Sequence, residues 1–169
     1  MTLYPKIYLK NVQEVTLEIL KDNNILGVIL DVDNTLIDYY KNMPDGIVKW
    51  CNDLKEKGIK FCIASNSNKK EKVEMVANKL DIPYIYFAKK PLKMGLKKAA
   101  NIMNVEYKNV AVIGDQIFTD VLGANRAGMF SILVDPIEEK DIFVTVIKRP
   151  IENYIKRKYK EKIKDTKGE

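Results

Sequence analysis

The chain has 169 residues, of which 46% are hydrophobic and 31% are charged, an ordinary composition for one globular domain with a full core. The net charge of +6 resides in residues 148–167, which hold nine Lys/Arg and three Asp/Glu, because the remainder holds 20 residues of each sign (29 − 9 and 23 − 3). The absence of histidine excludes Ser-His and Cys-His nucleophile pairs and the usual histidine-rich zinc sites.

Apolar runs typical of strands alternate with helix-like segments along most of the chain. Asn11 and Glu14 resemble a capping box, which predicts a helix to about Lys21. Five short apolar runs predict strands, at residues 25–30, 59–64, 84–87, 110–113 and 131–134. Helices are predicted between them, over residues 44–57, 69–80, 91–103 and 119–127. Short, wholly apolar strands separated by helices favour a doubly wound, Rossmann-like α/β fold: a parallel five-stranded sheet with helices on both faces.

The C-terminal residues depart from this alternation, which predicts two units. One is an α/β domain over residues 1–147, and the other is a basic amphipathic helix or tail over residues 148–169. One face of that helix would carry the apolar residues Ile151, Tyr154, Ile155, Tyr159 and Ile163. A basic amphipathic helix is typical of peripheral binding to an anionic membrane. A helix docked on the domain, with solvated lysines, accounts for the same pattern.

Other features place the chain among intracellular proteins. No apolar run approaches the roughly 18–20 residues of a membrane span, and the first ten residues lack the apolar region of a secretory signal, so we expect no transmembrane segment and a cytoplasmic location. Cys51 and Cys62 are too few for a disulfide framework and lie in apolar segments, where we expect small core residues.

Polar residues follow four of the predicted strands. Asp31 and Asp33 follow the first, Ser65 and Asn66 the second, Lys90 the third, and Asp115 and Asp120 the fourth. The carboxyl ends of strands are where open α/β sheets bind ligands. Each residue also has an ordinary structural explanation. Asp115 could belong to a turn, the Ser65–Asn68 stretch could cap a helix, and Lys90 could be a solvated surface charge. Their coincidence at four strand ends favours a site.

The Asp-x-Asp-x-Thr stretch also resembles the start of a calcium loop. Such a loop needs glycine at its sixth position and glutamate at its twelfth. Those positions hold Leu36 and Asn42, which excludes it.

These residue types suit phosphoryl transfer. A carboxylate can act as nucleophile and form an aspartyl-phosphate, but its attack on a phosphate dianion requires Mg²⁺ and a lysine to neutralise the site. Mg²⁺ prefers oxygen ligands, which Asp31 and Asp115 offer. Ser65, Asn66 and Lys90 offer donors to a phosphate.

At these positions the chain resembles the haloacid dehalogenase (HAD) superfamily of phosphatases, over about residues 3–149. Asp31-Val-Asp-Asn-Thr35, Ser65, Lys90 before Pro91, and Gly114-Asp115 with Asp120 match its four motifs. The resemblance implies that Asp31 is the nucleophile, Asp33 the general acid/base, and Thr35, Ser65 and Asn66 substrate-binding residues. It implies that Mg²⁺ is bound by Asp31, Asp115 and the backbone carbonyl of Asp33, and that Asp120 holds a metal-bound water or orients Lys90.

A finer resemblance is to the small IIIA-type phosphatases, which include phosphatidylglycerophosphate phosphatases. It rests on Ala88-Lys-Lys-Pro91, Gly114–Asp120 and Asp135-Pro-Ile137. No interval between the motifs is long enough for a cap domain, so we expect an open site suited to a phosphate on a bulky carrier such as a lipid. Tyr39, Tyr40 and Met43 would form either an apolar rim beside a bilayer or ordinary packing.

Three competing interpretations remain. One is a soluble sugar-phosphate or nucleic-acid-end phosphatase, whose basic tail would contact phosphates. Another is a phosphoacceptor module resembling response-regulator receivers, but no aspartate follows residues 84–87 before Lys90, which argues against it. The third is a scaffold that retains the fold without catalysis.

Overall fold

The computed structural model describes residues 3–138 and 143–167, with the side chains of the second segment described at 150 and 152–164. The described residues form one six-stranded sheet in the order β1-β6-β5-β2-β3-β4, and every strand pair is parallel. The strands are β1 Ile7–Leu9, β2 Gly27–Leu30, β3 Lys60–Ala64, β4 Tyr84–Ile85, β5 Val110–Gly114 and β6 Phe130–Val134. The predicted fold class is confirmed, and the strand count was one too low.

The additional strand, β1, lies at the sheet edge beside β6. It has three residues, each only partly buried. A run so short and so exposed gives little apolar signal, which explains why the sequence pattern did not reveal it.

Helices cover both faces of the sheet. In the described residues they are α1 Leu17–Asp22, α2 Ile47–Glu56, α3 Lys70–Leu80, α4 Lys93–Met103, α5 Leu122–Ala127 and α6 Phe143–Lys167. The helix predicted to begin at Asn11 is wrong at its start. Asn11 caps only a 3₁₀ turn over Val12–Glu14, and α1 begins after Thr16, whose Oγ1 accepts the Ile19 N–H.

The core consists of apolar side chains above and below the central strands. Every residue of β2 and β5 is buried. Cys51 and Cys62 are fully buried in this core, as predicted, and burial raises their thiol pKa values to about 11 and about 12. Neither thiol is therefore ionised near neutral pH.

The chain order sets the position of the site. From β2 the chain proceeds outward to β3 and β4, and it then returns to β5 on the other side of β2. The carboxyl ends of β2 and β5 therefore flank the crevice at the topological switch point, where ligands bind in such sheets. Asp31 follows β2 and Asp115 follows β5.

The C-terminal helix α6 packs on the domain. Ile155 is buried in a small cluster with Ile117, Val121 and Leu133. Tyr159 donates its hydroxyl to the Lys6 carbonyl at 2.8 Å. Tyr154 and Ile163, predicted on the apolar face, are 54% and 37% exposed, so only part of that face is covered.

No helix in the described part of the chain is both long and apolar enough to cross a bilayer. The described intervals between the predicted motif residues hold no cap domain. One helix separates Thr35 from β3, and one helix and one short strand separate Ser65 from Lys90.

Candidate active site

Asp31 lies directly beyond β2, and its carboxylate is almost wholly buried. The backbone continues the sheet, since the Asp31 N–H donates to the Ile113 carbonyl at 3.0 Å. Lys90 Nζ lies 2.8 Å from Oδ1 of Asp31, and Thr35 Oγ1 lies 3.4 Å from Oδ2. Thr35 is also 3.3 Å from Oδ1 of Asp115. Both oxygens of Asp31 are thus oriented by neighbouring side chains.

Lys90 lies between two carboxylates in the interior. Its Nζ is 2.7 Å from Oδ1 of Asp120 as well as 2.8 Å from Asp31. Burial alone would lower the pKa of Lys90, but the charges of Asp120 and Asp31 more than offset it, so the pKa lies above its ordinary value. The side chain is therefore a permanent cation in the site.

Three acidic residues predicted as metal ligands come together. Oxygens of Asp31, Asp115 and Asp120 all lie within 4.8 Å of one another, and all three residues are buried. Burial, followed by the charges of Asp31 and Asp120, raises the pKa of Asp115 well above its ordinary range. Burial, followed by the charge of Asp31, raises the pKa of Asp120 to about 6, although Lys90 opposes this.

This charge balance fits a divalent cation. Three carboxylates face one ammonium group, which leaves buried negative charge uncompensated. An all-oxygen donor set suits a hard cation such as Mg²⁺, Mn²⁺ or Ca²⁺. The residues present therefore fit the metal that sequence analysis predicted.

Asp120 owes its position to an irregular segment after β5. Residues Ile117–Val121 form a π-helical turn, a local geometry that is common at functional sites. The Gln116 N–H donates to Oδ2 of Asp120 at 3.1 Å. A Cβ at Gly114 would lie 2.1 Å from that same oxygen, so only glycine lets the carboxylate approach the strand this closely.

Ser65 and Asn66 support the loop that holds Lys90. Ser65 is buried, and its backbone carbonyl accepts the Ala88 N–H at 2.8 Å. Asn66 bonds the Lys90 backbone twice, since its Oδ1 accepts the Lys90 N–H at 2.7 Å and its Nδ2 donates to the Lys90 carbonyl at 2.8 Å. We predicted Asn66 as a substrate-binding donor, and this stays a prediction; the structure shows its amide bonded to the Lys90 backbone.

Asp33 lies apart from the buried cluster. Its carboxylate is half exposed and pairs with Lys72 of α3 at 2.6 Å. Asp33 was predicted as general acid/base and as a metal ligand through its carbonyl, and these roles stay predictions. Lys72 was not predicted; its one signal was its place on the first turn of the helix after Ser65.

An open cleft of about 580 Å³ leads to the cluster. Its lining includes Asp33 and Asp115, the lysines Lys41, Lys69 and Lys72, and Asn153 and Lys156 of α6. Sequence analysis treated the C-terminal helix as an appendage, so it did not place α6 beside the site. Nothing in the pattern of a terminal helix indicates which part of the domain it will contact.

Comparisons with known proteins agree with this site. Residues 37–128 match the family model of haloacid dehalogenase-like hydrolases, a range that begins just after Asp31 and Thr35. The chain is 39% identical to the probable phosphatase YqeG of Bacillus subtilis over 159 residues, which is 94% of this chain and 92% of that protein.

Solved structures show the same fold. A crystal structure of an uncharacterised Listeria monocytogenes protein has a TM-score of 0.56 at 18% identity, covering 70% of this chain and 85% of that one. The cobalt-bound deoxy-D-mannose-octulosonate 8-phosphate phosphatase of Haemophilus influenzae has a TM-score of 0.55 at 18% identity. The match covers 81% of this chain and 90% of that one. The predictions of the family and of a HAD-type phosphatase are confirmed: the chain belongs to the haloacid dehalogenase-like hydrolases.

Proposed function

We propose that the protein is a Mg²⁺-dependent phosphomonoester hydrolase that acts through an aspartyl-phosphate on Asp31. The observation that carries this proposal is the environment of the Asp31 carboxylate. It is buried at the switch point, with one oxygen on Lys90 and the other beside Thr35, inside a cluster of three acids. A carboxylate held this way, next to a cation and open to a cleft, suits nucleophilic attack on phosphorus.

In the first step, an oxygen of Asp31 bonds to phosphorus as the bond from phosphorus to the leaving oxygen breaks. Asp33, released from Lys72, protonated and turned toward Asp31, donates its proton to that oxygen and becomes a carboxylate. In the second step, water attacks the phosphorus and gives a proton to Asp33. The Asp31 carboxylate departs with its electron pair, and inorganic phosphate is released.

The other residues lower the charge and fix positions. Lys90 offsets the repulsion between Asp31 and an approaching phosphate. Ser65 and Thr35 would contribute hydroxyl donors to the phosphate. Asp31, Asp115, Asp120 and the Asp33 carbonyl would hold Mg²⁺, which supplies Lewis-acid neutralisation of the transferring phosphoryl group.

The proposed substrate carries its phosphate on a lipid head group, similar to phosphatidylglycerophosphate, at the cytoplasmic face of a membrane. The open cleft without a cap supports a bulky carrier. The solvent face of α6 supports contact with anionic lipid, because five of its basic residues are exposed: Arg157, Lys158, Lys160, Lys162 and Lys164. Because Ile155 is buried against the domain, we propose that this contact occurs with the helix docked.

The test is phosphate release from a panel of phosphomonoesters that includes phosphatidylglycerophosphate in mixed micelles, a sugar phosphate and a 5′-phosphorylated oligonucleotide. We expect turnover with Mg²⁺, none with EDTA, and none for Asp31→Asn. The best substrate decides between the lipid and soluble versions. A folded protein without turnover on any of them would refute the proposed activity for these substrate classes.

Membrane contact is tested separately by co-sedimentation with vesicles of phosphatidylcholine alone or with phosphatidylglycerol. We expect binding to the anionic vesicles at low salt and its loss at high salt, because electrostatic attraction is screened. Equal sedimentation with both vesicle types would reject the membrane part of the proposal and leave the phosphatase part intact.

A further inference from the structure

The cleft beside the acidic cluster has more cationic side chains in its lining than the chemistry of a single phosphate requires. Three of the lining residues are Lys41, Lys69 and Lys72, which we call the lysine wall. Lys90, the cation assigned to the reaction, is buried below and belongs to the acidic cluster. The lysine wall therefore faces the space that the leaving group of a substrate would occupy.

Two lysines of this wall lack an acidic partner. Among the ion pairs of the described residues, Lys72 pairs with Asp33 at 2.6 Å, whereas neither Lys41 nor Lys69 appears in any. Both are exposed at the rim. Like charges gathered at one side of a cleft raise the local concentration of an oppositely charged ligand.

The acids of the cleft do not neutralise these two lysines. Asp33 is bonded to Lys72, and Asp115 belongs to the buried cluster. Asp38 accepts the Asn42 N–H at 2.8 Å. The remaining acids of the cleft are Glu138, which follows β6, and Glu152, which lies on α6. Neither forms an ion pair with Lys41 or Lys69 among the described residues.

Helix α6 also lines the cleft. Asn153 and Lys156 are lining residues, and Ile155 between them anchors the helix in the cluster with Ile117 and Val121. The helix is thus fixed to the same π-helical turn that carries Asp120. A leaving group in the cleft would therefore lie near both α6 and the lysine wall.

We propose that the lysine wall is a subsite for a second anionic group on the leaving group, such as a phosphodiester or a carboxylate. This inference rests on the proposed phosphatase function and defines its substrate class. It also gives Lys72 a positioning role, because an anion bound there competes with Asp33 for the ammonium group. Recognition of the correct leaving group would free Asp33 to face the leaving oxygen.

The test compares kcat/KM for substrates that differ in leaving-group charge: phosphoethanolamine (cationic), glycerol 2-phosphate (neutral), and two anionic compounds, 3-phosphoglycerate and glycerophosphoglycerophosphate. The last two distinguish a carboxylate from a phosphodiester as the preferred anion, without any bilayer. We expect the anionic substrates to be preferred at low salt, mainly through KM, with the preference reduced at high salt.

Lys69→Met is the test variant and Lys70→Met its control, because Lys70 is the adjacent exposed lysine and does not line the cleft. We expect Lys69→Met to reduce the anionic-to-neutral ratio of kcat/KM about fivefold, as expected for one partly exposed charge, and Lys70→Met to leave the ratio unchanged. Lys69→Glu should shift the preference toward phosphoethanolamine.

Two results overturn the inference. Turnover of glycerol 2-phosphate by the wild type, without preference for either anionic substrate, refutes the subsite alone and leaves the phosphatase function standing. An equal anionic-to-neutral ratio of kcat/KM in Lys69→Met and Lys70→Met would also refute the subsite and leave the phosphatase function standing. Absence of Asp31-dependent turnover on all four substrates removes the proposed function for these compounds, and the subsite with it.

Discussion

The Nζ of Lys90 lies 2.7 Å from Oδ1 of Asp120, and both side chains are only 1% exposed. Ion pairs this deeply buried seldom add net stability, because the cost of desolvating two charges is as large as their attraction. Here the same ammonium also serves Asp31 at 2.8 Å, so one cation faces two anions, and Asp115 adds a third. We therefore expect the fold to depend on Lys90 and, for the same electrostatic reason, the acidic cluster to attract a divalent cation.

Lys90→Met tests this dependence with a side chain of similar length. The variant leaves Asp31 and Asp120 buried without their ammonium partner, so we expect the free energy of unfolding to fall by about 3–5 kcal/mol in EDTA. Mg²⁺ should restore part of the loss. Urea unfolding with and without the metal measures both effects.

Lys89→Met is the matched control for this variant. Lys89 is the exposed neighbour. Its ammonium lies 4.9 Å from the centroid of the Phe87 ring and belongs to no ion pair among the described residues. We expect Lys89→Met to lower the free energy of unfolding by less than about 1 kcal/mol. Equal destabilisation by the two substitutions would show that the buried pairing of Lys90 is not what the fold depends on.

The sequence revealed the cluster because chain order and sheet topology act together. Asp31 and Asp115 follow strongly apolar segments that became the central strands β2 and β5, and adjacent parallel strands bring their ends to one crevice. Sheet topology therefore sufficed to predict that Asp31 and Asp115 meet, whereas Asp120 was expected in the site from the family resemblance.

Features that depend on tertiary contacts were not predictable in the same way. Strand β1 is held at the edge by pairing with β6, not by its own apolar pattern. The pairing of Lys72 with Asp33 joins residues 39 positions apart. The contact of Ile155 with the turn of Asp120 depends on where a terminal helix docks, for which the sequence contains no local signal.

The raised pKa of Asp120 predicts an unusual pH dependence for the metal-free protein. The folded-state pKa of about 6 exceeds the ordinary value of 3.8, so the folded state binds the proton more tightly than the unfolded state. This contribution to stability is present below about pH 4 and is lost as the pH rises toward 6, with a slope of at most about 1.4 kcal/mol per pH unit.

The measurement is the difference in free energy of unfolding between wild type and Asp120→Asn, in EDTA, across this range. Subtraction removes the titration of carboxylates remote from Asp120, while that of Asp115, whose pKa Asp120 also raises, adds to the difference with the same sign. We expect the wild type to lose stability relative to the variant between pH 4 and 6, and Mg²⁺ to reverse this trend because it binds the ionised carboxylates. If the difference in free energy of unfolding between the two proteins stays constant from pH 4 to 6 in EDTA, the raised pKa of Asp120 is contradicted.

Gly114→Ala tests how closely Asp120 must approach the sheet. The added Cβ would lie 2.1 Å from Oδ2 of Asp120, so the carboxylate must move away from the cluster. Because a displacement of about 1 Å in a site can cost on the order of 100-fold in rate, we expect at least that loss in kcat/KM and weaker Mg²⁺ binding.

The control is Gly27→Ala, at the start of β2 and remote from the cluster. Its new Cβ would meet Met103 Cε and Val105 Cγ2, each at 3.2 Å, so a small shift of these side chains accommodates it away from the cluster. We expect its Mg²⁺ affinity to match the wild type. If Gly114→Ala binds Mg²⁺ normally in titration calorimetry, Asp120 does not contribute to metal binding as we infer.

Ile155→Ala tests whether helix α6 belongs to the active site or is only attached to the domain. Ile155 is 8% exposed and packs with Ile117 and Val121, on either side of Asp120, whereas Ile163 on the same helix is 37% exposed. Truncating the buried isoleucine should lower the free energy of unfolding by about 2 kcal/mol or more, since it removes buried methylene groups and leaves a cavity. Because that cavity adjoins the turn that carries Asp120, we also expect weaker Mg²⁺ binding by calorimetry.

Ile163→Ala, the same substitution at an exposed position, should change neither quantity measurably. If both variants match the wild type in Mg²⁺ affinity, α6 does not support the metal site, and its contact with the domain is structural alone.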